Sequence, residues 1–164
     1  DGFRLSKALL FGIARQESRL DPEAVSRSNA RGLMQLLPST AAYIGKNPAF
    51  KADPDQLFDP QVNMRLGQLY VEYLFNMLGP DLTKVVAAYN MGPGALQRWL
   101  AAVGGFSDPL LMIESIPKDE TRTYVKRVLT NMWLYESRYG MPSPTLEAMA
   151  AGRAPIYSSA ARVS

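Results

Sequence analysis

The hydrophobic pattern of the first twenty residues predicts an amphipathic helix from Leu5 to Leu20. Successive residues of a helix advance about 100° around its axis, so residues three and four apart share a face. The apolar stripe of this helix consists of Leu9, Leu10, Ile13 and Leu20. Glu17 falls inside that stripe, whereas the other charged side chains lie on the opposite face.

A carboxylate on an apolar face must be paired, protonated or turned towards a cleft, because an unpaired buried charge is costly. Burial also raises the pKa of a carboxyl group, as a general acid near neutral pH requires. Glu17 is therefore a candidate acid. The pattern equally allows a structural glutamate bonded to backbone amides or to an arginine.

Further along the chain the pattern predicts five more helices, several of them opened by proline or closed by glycine. They cover residues 38–44, 60–78, 81–90, a segment through Trp99 and Leu100, and 118–139. The 60–78 helix has an apolar inner face that ends at Met77. Residues 24–31 are expected to form a loop or a small β-hairpin with Asn29 in a left-handed position.

The remaining segments are expected to be irregular. Residues 46–57 and 104–117 are predicted to be connecting loops, the second with an apolar interruption at residues 110–113. After Gly140 the chain is rich in Pro, Ala and Ser, with one helical turn at residues 146–151 and a mobile end. The predicted fold class is therefore mainly α, with at most a small β-hairpin near residues 24–32.

The amino-acid composition says more about the chemistry that the chain can perform than about its fold. The chain has 164 residues, 47% hydrophobic and 20% charged, which suits one soluble globular domain. Its net charge is +3, but the basic residues are scattered, so no nucleic-acid partner is expected. No apolar run reaches the roughly 20 residues of a membrane helix.

The chain has no His and no Cys, which excludes Ser-His-Asp and Cys-His catalysis and the usual zinc and iron sites. No metal and no other cofactor is expected. Acid–base chemistry would fall to Asp, Glu, Tyr or Lys, so an enzyme with this composition would work with carboxylates.

Four short motifs follow one another along the chain. They are Glu17-Ser18, Gly32-Leu33-Met34-Gln35, Ala88-Tyr89-Asn90 before Gly92-Pro93-Gly94, and Ile116-Pro117 with Glu120-Thr121-Arg122-Thr123-Tyr124-Val125. In this order and spacing they resemble the catalytic domain of the soluble lytic transglycosylases, relatives of goose-type lysozyme. The resemblance covers residues 3–140.

The resemblance implies a lysozyme-like helical catalytic domain over residues 1–140 and a tail, partly extended or mobile, over 141–164. It also implies that Glu17 is the single acid/base of a peptidoglycan lytic transglycosylase. In that family the glutamate protonates the glycosidic oxygen between N-acetylmuramic acid and N-acetylglucosamine. It then takes the proton of the muramic acid 6-hydroxyl, which closes onto C1 and leaves a 1,6-anhydro product.

The resemblance extends to residues that would contact the substrate. They are Ser26, Ser28, Gln35, Leu37, Tyr89, Asn90, Glu120 and Tyr124. Five of them have a simpler explanation: turn serines at positions 26 and 28, a core tyrosine at position 89, a helix cap at position 90, and an acid favoured by the helix dipole at position 120. Tyr124 lies four residues after Glu120 and is expected to bring its hydroxyl near Glu17.

One residue departs from the family pattern. Many relatives have a glycine where this chain has Asn29, but asparagine tolerates a positive φ better than other non-glycine residues. We therefore expect the loop to keep its course.

The resemblance further implies glycan strands as the partner, possible cell-envelope protein partners, a monomer, and a location in the periplasm or cell envelope of a bacterium. Two alternatives stay open. One is a hydrolytic muramidase on the same fold, whose product is one water heavier. The other is a cell-wall binding module without turnover, which would bind glycan and leave it intact.

Overall fold

Helices make up most of the fold, as the hydrophobic pattern predicts. A computed structural model describes residues 2–158, and this part of the chain has nine α-helices and one 3₁₀ helix, at Pro54–Phe58. The α-helices are α1 (Lys7–Ser18), α2 (Pro38–Gly45), α3 (Ala49–Ala52), α4 (Pro60–Leu78), α5 (Leu82–Met91), α6 (Pro93–Val103), α7 (Pro109–Ser115), α8 (Asp119–Arg138) and α9 (Pro144–Ala150). The described residues form isolated β-bridges but no sheet, and none of their helices is long and apolar enough to cross a membrane. The mainly α-helical fold class is confirmed.

The first helix packs antiparallel against α8, with a glycine at the point of closest approach. A Cβ atom on Gly12 would lie 3.1 Å from the backbone nitrogen of Met132 and 3.2 Å from the backbone oxygen of Val128. The predicted stripe of α1 is buried here, and Leu9 and Leu10 are both 0% exposed. Side chains in the last turn of α1 therefore meet the first turns of α8.

The first helix is two residues shorter at each end than predicted. It ends at Ser18 because Arg19 and Leu20 adopt left-handed backbone conformations, with φ of 57° and 67°. Leu20 leaves the helix wheel and is 43% exposed, so its predicted place in the apolar stripe is wrong. Glu17 consequently lies in the final turn, next to a reversal of the chain.

Residues 24–36 form an irregular loop with single bridges rather than a regular hairpin. The bridges join Val25 to Arg31 and Arg31 to Leu36. The left-handed position predicted for Asn29 is confirmed, with φ of 63°.

A buried amide on α4 holds this loop. Asn63 is 0% exposed; its Oδ1 accepts the Met34 N–H at 2.8 Å, and its Nδ2 donates to Arg31 O at 2.9 Å and Leu57 O at 2.8 Å. Gly32 packs directly against this amide. A Cβ atom there would lie 2.3 Å from both Asn63 Nδ2 and Leu57 O. The loop therefore needs a glycine at position 32.

Two segments predicted as loops contain short helices instead. Residues 46–57 include α3 and most of the 3₁₀ helix, and residues 104–117 include α7. The Asp108 carboxylate caps α7 by accepting the N–H groups of Leu110 and Leu111. The sequence contains this N-cap signal, Asp108 followed by Pro109, but the glycines and prolines nearby favoured the prediction of a loop.

Met77 is 39% exposed, so its predicted place on the inner face of α4 is wrong. Near Leu66 this side of α4 is covered by α2. The two helices are close there, because a Cβ atom on Gly45 of α2 would lie 2.9 Å from Leu66 Cδ2. Met77 lies eleven residues later, roughly 16 Å along the helix axis. Tyr43 of α2 contacts Tyr73, with ring centroids 5.8 Å apart, and Met77 lies about one turn beyond Tyr73.

The chain after α8 packs back onto the helical body. Helix α9 begins two residues before the predicted turn at Leu146, and Trp133 Nε1 donates to Thr145 Oγ1 at 2.9 Å. Tyr157 is 5% exposed, and its hydroxyl accepts the N–H of Ser6 at 2.7 Å, just before α1. The C-terminal stretch thus contacts the last turns of α8 and the residue that precedes α1.

The division into a domain at 1–140 and a tail at 141–164 stays a prediction. Of the end predicted to be mobile, residues 159–164 lie outside the described residues.

Replacing Gly32 by alanine should lower the free energy of unfolding by about 3 kcal/mol or more, because a close steric contact is added to the cost of a left-handed alanine. Gly104 is a matched control, since its φ of 79° is close to the 75° of Gly32 and its ψ of 10° is left-handed helical, but no described atom lies within 4 Å of an added Cβ. Gly104→Ala should cost only about 1–2 kcal/mol. Urea unfolding of both variants measures the difference. Equal losses would contradict the role given to Asn63 and Leu57.

Candidate active site

A cleft of about 440 Å³ opens beside the C-terminal end of α1. Its walls come from the last turn of α1, the end of α5 and the first turns of α8. The lining residues are Gln16, Glu17, Asn90, Asp119, Glu120, Thr123, Tyr124 and Arg127. Four residues predicted from the sequence, at positions 17, 90, 120 and 124, are therefore brought together.

Glu17 is mostly buried at this cleft, and its pKa is raised from 4.5 to about 7. Burial is the largest cause, because it removes water from the charged form. The hydrogen bond from Tyr124 lowers the pKa, whereas the negative charge of Glu120 raises it. Near neutral pH both the protonated and the ionised form of this carboxyl group are populated, so it can both donate and accept a proton.

Tyr124 binds the carboxyl group directly. Its hydroxyl donates to Glu17 Oε1 at 2.7 Å, which confirms the expected proximity. Burial and the nearby charge of Glu17 raise the pKa of Tyr124 well above its usual value, so the phenol keeps its proton as a donor. The bond joins α1 to α8 and fixes the direction of the carboxyl group.

Ser18, the second residue of the Glu-Ser motif, holds backbone rather than facing the cleft. It is 8% exposed, and its Oγ donates to Leu33 O at 2.8 Å and lies 3.1 Å from Ala14 O, a second acceptor. The motif therefore ties the end of α1 to the loop at residues 32–35. Serine suits this place because its short hydroxyl reaches backbone carbonyls.

Tyr89 supports the same loop from α5. Its hydroxyl donates to Met34 O at 2.8 Å, and its ring packs on Tyr70 with centroids 5.1 Å apart. The pKa of Tyr89 is raised well above its usual value by burial first and then by the charge of Glu17. Tyr89 therefore lies close enough to Glu17 for the carboxylate charge to raise its pKa, while its hydroxyl bonds the backbone of the loop.

Gln35 and Ser26 also make bonds within the loop. Gln35 Nε2 donates to Ala24 O at 3.0 Å and to Gly32 O at 2.9 Å. Ser26 Oγ accepts the N–H of Ser28 at 3.2 Å and that of Ala30 at 3.0 Å, as turn serines do.

Two further predicted contact residues lie on the surface near this loop. Ser28 is exposed, and Leu37, just before α2, is 39% exposed. Neither they nor Ser26 and Gln35 are among the residues that line the cleft around Glu17. Substrate contacts for these four residues stay a prediction.

Asn90 lies at the cleft beside α8. Its Oδ1 accepts the hydroxyl of Thr121 at 2.7 Å, which fixes the amide and turns its NH₂ group away from that bond. Glu120 is exposed on the first turn of α8, where acids suit the helix dipole. Both residues therefore combine a local structural role with a place in the cleft wall.

The sequence assigned no role to several residues of the site, although two of them, Ser18 and Thr123, stand in the quoted motifs. Asn63 and Ser18 hold the loop, and Thr123 and Arg127 line the cleft. The spacing of Glu120, Thr123, Tyr124 and Arg127 at i, i+3, i+4 and i+7 puts them on one face of α8 and could have indicated the last two. Asn63 precedes Leu66, Tyr70 and Leu74 by three, seven and eleven residues, so its place on the apolar face of α4 could have indicated it as well.

The comparisons with known proteins agree on one family. A model of the transglycosylase SLT domain matches residues 1–111. The soluble lytic murein transglycosylase of Escherichia coli (strain K12) is 40% identical over 149 residues, which are 88% of this chain and 23% of that protein.

Two solved structures share the fold. The 70 kDa soluble lytic transglycosylase from Escherichia coli has a TM-score of 0.77 at 38% identity, covering 85% of this chain and 23% of that one. An inactive glutamate-to-glutamine mutant of the lytic transglycosylase Slt from Pseudomonas aeruginosa has a TM-score of 0.76 at 36% identity, covering 84% and 22%. The chain thus spans less than a quarter of these relatives, and it belongs to the transglycosylase SLT domain family.

Proposed function

We propose that this chain is a peptidoglycan lytic transglycosylase and that Glu17 is its single acid/base. The observation that carries the proposal is a mostly buried carboxyl group with a pKa of about 7, held by Tyr124 at the wall of an open cleft. The substrate is the glycan strand, cut between N-acetylmuramic acid and N-acetylglucosamine. The product end is 1,6-anhydro-N-acetylmuramic acid.

In the first step protonated Glu17 donates its proton to the glycosidic oxygen, and the C1–O bond of the muramic acid breaks. The sugar ring develops oxocarbenium character in the transition state. A pKa near 7 suits this step, because a large fraction of the carboxyl group is protonated at neutral pH while the acid stays strong enough to donate. The leaving N-acetylglucosamine unit departs with a free 4-hydroxyl group.

In the second step the Glu17 carboxylate accepts the proton of the muramic acid 6-hydroxyl as that oxygen bonds to C1. The nucleophile belongs to the substrate, so no second carboxylate has to attack or to activate water. The Tyr124 hydroxyl holds Oε1 throughout. Oε2 is then the oxygen that exchanges the proton with the glycan.

The names of the relatives support this reaction. A murein transglycosylase acts on bacterial cell wall, and one matched structure is an inactive mutant in which one glutamate became glutamine. The chain spans less than a quarter of these proteins, so their activity is a proposal for it. We propose the periplasm or cell envelope as the location, and the glycan strand as the partner of a monomer.

Glu120 supports one alternative, hydrolysis. Its carboxylate lines the same cleft as Glu17 and is near enough to raise the pKa of Glu17. In a muramidase such a group would activate a water molecule, and the product would be one water heavier than the anhydro form.

Glu17→Gln should reduce product release from purified sacculi by about 10² to 10⁴-fold, because glutamine keeps the shape of the side chain but cannot donate the proton. Mass spectrometry of the released fragments gives both the rate and the reaction type. Glu147→Gln, an exposed change on α9, is the matched control and should keep full activity. Full activity of the Glu17 variant would disprove the assignment, and products without the anhydro end would indicate hydrolysis.

Tyr124→Phe should move the alkaline limb of the kcat/KM pH profile to higher pH. In the wild type this limb should lie near pH 7, where Glu17 loses its proton. The Tyr124 bond lowers the pKa of Glu17, so removing the hydroxyl lets that pKa rise. Tyr139→Phe, an exposed change just after α8, should leave the profile unmoved. A shift to lower pH would contradict the assigned hydrogen bond.

Glu17 should also make the fold less stable as pH rises. Its pKa is raised from 4.5 to about 7 on folding, so the native state binds more protons between these values and stability falls across this range. The full effect is at most roughly 3 kcal/mol. Relative to the wild type, Glu17→Gln should therefore gain stability between pH 4.5 and pH 8, as measured by urea unfolding. A constant difference across this range would count against the raised pKa.

A further inference from the structure

Arg127 is the only cationic side chain among the described residues that line the cleft. It lies one turn beyond Tyr124 on α8, a rise of roughly 4–5 Å along the helix axis. Glu120, Thr123 and Tyr124 share its face of the helix, and Tyr124 contacts Glu17. The guanidinium is thus carried by the same helix face that positions the proposed acid.

Neighbouring cations have partners, whereas Arg127 has none among the described residues. On the same helix Arg122 pairs with Asp119 and donates to Ile116 O, and Lys126 pairs with Glu114 at 2.6 Å. Within residues 2–158 Arg127 forms no ion pair and no side-chain hydrogen bond, and it is exposed. A planar guanidinium with its donors unused is suited to a carboxylate, which it can bind through two parallel hydrogen bonds.

The other charged residues of the cleft do not occupy Arg127, so its guanidinium is available to bind a carboxylate. Asp119 is paired with Arg122. The pKa of Glu17 is shifted by burial, by the hydrogen bond from Tyr124 and by the charge of Glu120. Arg127 is therefore not needed to tune the acid. Among the described residues of the cleft wall, an incoming anion would meet one unpaired cation, and the other lining residues are neutral or acidic.

We propose that Arg127 binds a carboxylate carried by the muramic acid branch of the glycan and so determines substrate preference. This inference rests on the proposed function. Muramic acid differs from N-acetylglucosamine by a lactyl group, whose carboxyl is either free or joined to a peptide that has carboxylates of its own. Both sources offer the same chemistry, a carboxylate attached to the sugar whose C1–O bond is cut, and Arg127 lines the same cleft as Glu17.

The test measures binding, so that it does not depend on turnover. Glu17→Gln serves as the background, and Arg127→Gln is added to it. Three glycans are titrated by calorimetry: peptide-bearing strands, peptide-free strands with a free lactyl carboxyl, and peptide-free strands whose lactyl carboxyl has been converted to a methylamide. Arg138→Gln is the matched control, because it removes an exposed arginine from the end of the same helix, outside the cleft.

Arg127→Gln should weaken binding of carboxylate-bearing glycan about tenfold and leave the methylamide unaffected. A loss on peptide-bearing strands alone identifies the peptide carboxylates, and a loss on peptide-free acid strands alone identifies the lactyl group. Arg127→Lys should retain part of the affinity, since it keeps the charge without the two-donor geometry. An equal loss on all three glycans, or no loss on any, would overturn the proposal.

A failure of the proposed transglycosylase function would be distinguishable from a failure of the Arg127 proposal. If the chain with Glu17 intact binds these strands and releases no product, transglycosylation is wrong while the carboxylate preference is still measured. If Arg138→Gln weakens binding as much as Arg127→Gln, the effect is one of net charge and the specific role of Arg127 is disproved.

Discussion

The contact between Glu17 and Tyr124 depends on the close packing of α1 against α8. Gly12 lets the two backbones approach, and the hydrogen bond of 2.7 Å joins them five residues further along α1. This arrangement removes water from a carboxyl group that would otherwise be fully ionised near neutral pH. The raised pKa of Glu17 is therefore a property of the helix packing first and of the neighbouring charges second.

A second set of bonds fixes the loop that faces this helix pair. Asn63, Ser18 and Tyr89 each bond a backbone group of residues 31–34, and they come from α4, α1 and α5. Buried backbone groups need partners, and an irregular loop cannot supply them from a regular ladder. Polar side chains on three helices take that role, so much of the motif sequence specifies the course of the backbone.

The sequence could predict helices where apolar periodicity and end signals agree, as in α4 and α8. It also indicated Glu17 as a candidate acid, because a carboxylate on an apolar stripe is costly unless it is paired, protonated or turned towards a cleft. It could not predict that α1 stops at Ser18, because Arg19 and Leu20 are ordinary residues that take left-handed conformations only in this tertiary setting. Nor could it separate Gln35, whose amide nitrogen is bonded within the loop, from Asn90, which lines the cleft.

The charges of the cleft must satisfy two opposing requirements. A cation in contact with Glu17 would lower the pKa of the carboxyl group and depopulate its protonated form at neutral pH, whereas the anionic glycan branch that we propose as the ligand of Arg127 needs a cation nearby. Placing the arginine one helical turn beyond Tyr124 meets both needs, because Tyr124 and Glu120 act on Glu17 directly and the guanidinium does not. In the proposed reaction, helix α8 thus separates proton transfer from recognition of the substrate's charge by the distance between successive turns.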